Sequence, residues 1–186
     1  LKLIDFGYAK MLTERTYSVV GTVDYLAPEV VLQKGHWFGA DWWALGVLVY
    51  ELLCGCTPFT NQGRITDEAV ICRNIASDAY TYDFRPGLDP AAKSLLTRDA
   101  HGSLLARERA LRLGCGGGGA RDVMAHPFLA SVDFDQLLLK EVKPPLIPTI
   151  ASATDVSNFE VDDSKAVDFS ADGEYVPDVL AWDRAF

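Results

Sequence analysis

Near the start of the chain, Asp5-Phe6-Gly7 places a carboxylate just ahead of a glycine. A carboxylate oxygen is a hard ligand that suits Mg²⁺, and glycine lets the backbone turn sharply beside it. The triplet alone leaves two readings open, a metal-holding turn or an ordinary acid at a strand end. Glu51 raises a second question, because it sits inside the apolar run FGADWWALGVLVYELLCG. A buried carboxylate without a partner is costly, so it needs an internal Arg or Lys, or a cationic ligand. The loop TERTYSVVGTVDY carries hydroxyls, Ser18 and Thr16 among them, close to Lys10 and Arg15. His36, His101 and His126 have no metal-ligand spacing, and packing or surface roles account for them.

These groups need elements to hold them. Residues 1–4 suit the end of a short strand, and residues 5–28 read as loop. Residues 38–55 predict a helix, with Asp41 near its positive end and Gly55 as its stop. Its apolar side chains point in every direction, which predicts a central helix buried on all sides. At this length it does not span a bilayer, which takes ~20 apolar residues. Residues 67–76 predict an amphipathic helix. Asp89-Pro90 is a cap followed by a first-turn proline, opening a helix through about Arg98. Residues 104–112 predict one or two helical turns. Gly116 to Gly119 must be loop. Residues 120–126 form a short helix that Pro127 ends. From Pro144 onward, Pro144, Pro145 and Pro148 predict an extended segment.

Composition narrows the classes. The 186 residues are 49% hydrophobic, enough for a sizeable core. Net charge is −9, and residues 151–186 hold nine acids against Lys165 and Arg184. A nearly neutral body thus carries an acidic tail, read as a largely solvated extension. This argues against nucleic acid, whose phosphates need a basic surface. Cys54, Cys56, Cys72 and Cys115 form no CxxC pair, so they read as reduced thiols of a cytoplasmic protein. There is no secretory leader pattern and no initiator Met, so the chain is expected to start in mid-protein.

Three motifs together carry a resemblance. Asp5-Phe6-Gly7, Ala27-Pro28-Glu29 and Asp41-Trp42-Trp43-Ala44-Leu45-Gly46-Val47 follow in the order and spacing of a protein kinase, with GTVDYLAPE between. The chain resembles the AGC group of Ser/Thr kinases, and within it the cyclic-nucleotide-dependent kinases. The stretch KPPLIPTIASATDVSNF and the closing AWDRAF resemble the tail of cGMP-dependent kinases. The resemblance implies a mainly α fold: the large lobe of a kinase over residues 1–129, then an irregular C-terminal tail over 130–186. The glycine-rich loop, the strand Lys with its helix Glu, and the His-Arg-Asp catalytic loop would all lie upstream of Leu1. No base or Lys of the catalytic set is then present.

The resemblance also assigns roles. Asp5 would hold Mg²⁺ on the ATP phosphates, with Gly7 supplying the turn. Ser18 would carry the activating phosphate, with Lys10 and Arg15 as partners and Thr16 as a lesser candidate. Val19, Val23 and Leu26 would line an apolar pocket for the substrate residue after the acceptor, and Thr22 would lie near the catalytic base. Val23 stands where the family has Pro and Asp24 where it has Glu; losing Pro frees φ and loosens the loop. Glu51 would recognise a substrate arginine before the target Ser/Thr, and Asp24 a more distant basic residue. Glu29 would pair with Arg112, and Asp41 would tie the central helix to the catalytic loop. Just before Leu104, on the approach to Arg112, RDAHGS reads as an insertion relative to the family. In the tail, Phe159 would approach the adenine, and Trp182 and Phe186 would anchor on the small lobe. The parent activity implied is Mg²⁺-dependent transfer of the ATP γ-phosphate to Ser/Thr in basic peptides, under a cyclic-nucleotide-binding region, with cGMP favoured. The alternative is an inactive fragment that at most binds peptides or partners.

Overall fold

The computed structural model describes residues 3–98, 100–152, 155 and 157–158. The chain divides into two compact units, Leu1–Glu141 and Val142–Phe186. The first unit is helical: α1 (Pro28–Val31), α2 (Gly39–Cys54), α3 (Glu68–Ala76), α4 (Pro90–Leu96), α5 (Ala120–Met124) and α6 (Phe134–Leu138). Two 3-10 turns, Val23–Tyr25 and Pro127–Leu129, complete it.

Local chemistry explains most of the helix ends. Asp67 caps α3, its Oδ1 accepting the N–H groups of Ala69 and Val70 at 2.9 and 3.3 Å. Asp89 caps α4 through Ala91 N–H at 2.8 Å, and Pro90 fills the first-turn position, where no N–H is needed. Gly55 ends α2 at φ 82°, a left-handed cap that glycine adopts without a Cβ clash.

The core is built on one face of α2. Trp43, Val47 and Tyr50 are buried against Phe59, Ile71, Ile75, Leu95, Leu96, Leu104 and Leu105. Burying each large apolar side chain contributes ~1.5–3 kcal/mol. Trp43 stacks on Phe59 with ring centroids 5.5 Å apart. Gly46 lets the loop carrying Leu104 and Leu105 close in, since a Cβ there would lie 2.8 Å from Leu105 Cδ2.

Several elements differ from the sequence reading. No strand occurs among the described residues; Leu3 and Ile4 are exposed, because no neighbouring segment offers them a ladder. The stretch 5–28 is not all loop, since a 3-10 turn forms at Val23–Tyr25 and α1 opens at Pro28. Helix α2 is not buried on all sides. Leu45, Leu48 and Leu52 lie exposed along its other flank, spaced three and four residues apart on one helical face. Helix α4 stops at Leu96, two residues short of Arg98. Residues 104–112 form no helix. They are a loop in which Leu104, Leu105, Ala106 and Arg112 are buried; Leu104 N–H bonds to Leu95 O at 2.9 Å, and the neighbouring Leu113 N–H bonds to Ser103 O at 3.0 Å. Helix α6, capped by Asp133 on Gln136 N–H at 3.0 Å, was not anticipated. In the second unit, residues 142–150 hold no regular element and are exposed. Phe159, Trp182 and Phe186 lie outside the described residues.

Candidate functional site

The anchor of the site is an ion pair spanning 83 residues of sequence. Helix α1 has Pro28 at its first position and Glu29 in its first turn. Arg112 Nη1 donates to Glu29 Oε1 at 2.7 Å and Nη2 donates to Oε2 at 2.9 Å, a bidentate fork. Its remaining N–H groups reach Gly39 O at 2.8 Å, Ala106 O at 3.0 Å and Arg107 O at 3.3 Å. The Arg112 guanidinium also lies over the Trp43 ring, 5.2 Å from its centroid. Burial pushes the Glu29 carboxyl up, but the hydrogen bonds and charge of Arg112 outweigh it and hold the group below its usual range.

A second cluster gathers on the Val23–Tyr25 turn. Tyr25 OH donates to Glu51 Oε2. Thr57 Oγ1 donates to Asp24 Oδ1 at 2.8 Å. The hydrogen bond to Glu51, then burial, then the charges of Glu51 and Asp24 push Tyr25 up to about 12. An ionised Tyr25 beside two carboxylates is disfavoured, so the phenol keeps its proton and holds Glu51 in place. No described cation forms an ion pair with Glu51 or Asp24. The internal Arg or Lys partner that the sequence allowed for Glu51 is therefore not found among the described residues. Two half-buried carboxylates thus have no cation among the described residues. Tyr25 and Thr57 were not singled out in the sequence. The adjacency of Tyr25 to Asp24 was a local signal, whereas nothing local marked Thr57.

The other expected site residues fall as follows. Leu26 is buried in the core, Val23 is half-buried, and Val19 and Thr22 are exposed. Asp5 is exposed at φ 60°, its Oδ1 accepting Gly7 N–H at 3.2 Å. Among the described residues no group of three His, Cys, Asp or Glu could hold a metal ion. Asp5 supplies one hard oxygen ligand, which fits a Mg²⁺ ion that takes one or two carboxylates and completes its shell with phosphates and water. Ser18 is exposed, its Oγ 3.3 Å from Thr16 Oγ1, which also accepts Lys10 Nζ at 3.3 Å. Asp41 lies in the first turn of α2, beside Phe38, Trp42 and Leu45 on a groove of about 330 Å³. Although the residue is open to solvent, desolvation raises its carboxyl pKa, with the charge of His36 opposing. Its carboxylate takes no hydrogen bond from a described residue.

Residues 1–129 match the protein kinase domain family. The chain belongs to the protein kinase family. A cAMP-dependent protein kinase catalytic subunit PRKX of Homo sapiens is 42% identical over 160 residues, covering 86% of this chain and 42% of that protein. A cAMP-dependent protein kinase catalytic subunit of Dictyostelium discoideum is 37% identical over 95% of this chain and 26% of its own length. A cGMP-dependent protein kinase of Toxoplasma gondii is 37% identical over 100% of this chain and 18% of its own. The likeness is to AGC kinases. The chain spans 42% or less of the length of these three relatives. Among the described residues no helix is long and apolar enough to cross a membrane.

Proposed function

We propose that this chain contributes the substrate-facing part of a cytoplasmic Ser/Thr kinase that transfers the ATP γ-phosphate to peptides with basic residues ahead of the acceptor. On this reading residues 1–129 belong to the large lobe and residues 130–186 to the tail. Asp5 is the Mg²⁺ ligand, and bound Mg²⁺ neutralises charge on the transferring phosphates. Ser18 is the activating phosphorylation site, within reach of the Thr16 and Lys10 cluster. Val19, Thr22, Val23 and Leu26 border the acceptor, and Phe159 meets the adenine. Control by a cyclic-nucleotide-binding region follows from the names of the relatives. The tail motifs and a match that covers 100% of this chain, and 18% of a protein named cGMP-dependent, favour cGMP.

The observation that carries this reading is the pair of carboxylates, Asp24 and Glu51, held by Thr57 and Tyr25 with no cation paired to them among the described residues. A substrate arginine supplies the missing charge. A hydrogen bond to a charged group contributes ~1.5–3 kcal/mol, or about 10- to 100-fold in binding. In a chimaera that joins this chain to the small lobe and catalytic loop of a related kinase, Glu51→Gln should weaken arginine-containing peptides by about tenfold or more. Peptides lacking arginine should be spared, and Tyr25→Phe, which keeps the charge, should be milder. Equal loss on both peptide classes removes the role.

A second reading concerns the 186 residues by themselves. Phosphoryl transfer is mostly positioning plus electrostatics, and the sequence holds no His-Arg-Asp triplet. Alone, the chain then acts at most as a peptide- or partner-binding module. Mg-ATP-dependent labelling of a serine peptide by the purified 186-residue chain, with contaminating kinases excluded, overturns this.

A further inference from the structure

A cleft of about 330 Å³, separate from the Asp24 and Glu51 cluster, is lined by four cations: Arg15, Lys34, Arg107 and Arg109. Three acids share its walls, but two of them are already engaged. Glu29 is taken by Arg112 from behind, and Asp78 is paired with Arg107. Arg15 and Lys34 make no ion pair with any described residue. Against Arg15, Lys34 and Arg109 only the exposed Glu108 remains uncommitted. The cleft is therefore locally positive on a chain of net charge −9.

The cations on one side are held in place by backbone. Thr16 and His36 form an antiparallel bridge, with N–H to O distances of 3.0 and 2.9 Å in the two directions. That bridge fixes the segments carrying Arg15 and Lys34 beside each other. Gly35 is buried at φ 74°, and a Cβ there would lie 3.0 Å from the Tyr17 ring, so only glycine fits the turn. Lys34 N–H is itself bonded to Glu29 O at 3.0 Å, tying the turn to α1.

We infer that this cleft binds a phosphorylated side chain of an acidic peptide segment. One carboxylate needs one guanidinium, whereas three uncommitted cations match the dianion and three acceptor oxygens of a phosphate. Two arginines supply planar forks for bidentate contact, and Lys34 supplies a point charge. The apolar Pro28 and Leu32 also line the cleft. They offer contact to residues flanking a phosphoserine but nothing to a free phosphate ion. The site uses none of the acceptor-side residues Val19, Thr22, Val23, Leu26, Asp24 and Glu51; it shares only Arg15 with the reading of Ser18 as a phosphorylation site.

Fluorescence anisotropy on the 186-residue chain tests it with three probes: a labelled phosphoserine peptide flanked by glutamates, its unphosphorylated twin, and inorganic phosphate as competitor. The phosphopeptide should bind about tenfold or more tighter than its twin, and its affinity should fall as salt rises. Arg15→Glu with Lys34→Glu should cost about tenfold or more. Both residues are exposed and unpaired, so the far-ultraviolet circular dichroism should be unchanged; Arg121→Glu, outside the cleft, should bind as the parent does. Equal binding of the two peptides, an unaffected double variant, or inorganic phosphate competing as well as the peptide would each overturn the assignment.

Discussion

Arg112 uses all five of its N–H donors, two on Glu29 and three on the carbonyls of Gly39, Ala106 and Arg107. Its side chain is fully buried and that of Glu29 is 11% exposed. The pair therefore serves as a junction between α1, the start of α2 and the 104–112 loop. Replacing both partners with apolar residues would still deprive three carbonyls of their donor. Removing Glu29 alone is worse, because it leaves a buried cation uncompensated. Glu29→Gln should cost ~3–5 kcal/mol, a large part of the ~5–15 kcal/mol that holds a domain together. The pH sign follows from the depressed carboxyl. Stability from Glu29 is fully present above its ordinary value of 4.5 and is lost as pH falls through the lower folded value. Melting temperatures of the parent should therefore drop more steeply than those of Glu29→Gln as pH falls below the ordinary carboxyl value of 4.5. Parallel slopes for the two proteins would show that the pair is not the titrating element.

At the scale of elements, Gly46 sets two effects against each other. In a helix interior, Gly→Ala gains about 1 kcal/mol from backbone entropy alone. Here the added Cβ would sit 2.8 Å from Leu105 Cδ2 and 2.9 Å from Leu104 Cβ. Both leucines are buried with no room to retreat. Overpacking typically costs ~1–3 kcal/mol, so Gly46→Ala should lower the denaturation midpoint, and a raised midpoint would mean the loop yields. The same contrast explains what the sequence made legible. Asp67, Asp89 and Gly55 act within a few residues of themselves, so the start of α3, the start of α4 and the end of α2 could be read directly. The 104–112 loop could not. Its conformation is set by Leu95 O, Ser103 O and the remote Arg112 contacts, and its apolar run looks helical when read alone. The short α1 and α6 had local signals in Pro28 with Glu29 and in Asp133, but too few residues to show a period. In the candidate site, the apolar setting of Glu51 pointed to an acid needing a partner, and the resemblance added Asp24. Thr57 was invisible because it reaches Asp24 only through the fold.

Across the whole molecule, α2 shows two apolar faces and only one is covered. Trp43, Val47 and Tyr50 are buried, whereas Phe38 is 52%, Leu45 36%, Leu48 42% and Leu52 76% exposed. Contiguous exposed apolar surface of this kind favours association. Charge repulsion gives limited protection. Of the net −9, residues 151–186 carry nine acids against two bases, so the helical body is nearly neutral. What repulsion the tail provides is screened as salt rises, since the Debye length shrinks from about 10 Å at 0.1 M to about 3 Å at 1 M. The 186-residue chain should therefore self-associate in size-exclusion chromatography with light scattering, more so at high salt, and should enhance the fluorescence of an apolar dye. Leu48→Gln with Leu52→Glu places polar groups on the open flank without touching Trp43, Val47 or Tyr50. That variant should shift toward monomer and lose most of the dye signal while melting at a similar temperature. A parent chain that is monodisperse, melts cooperatively and leaves the dye dark would show that the open flank of α2 is covered in solution.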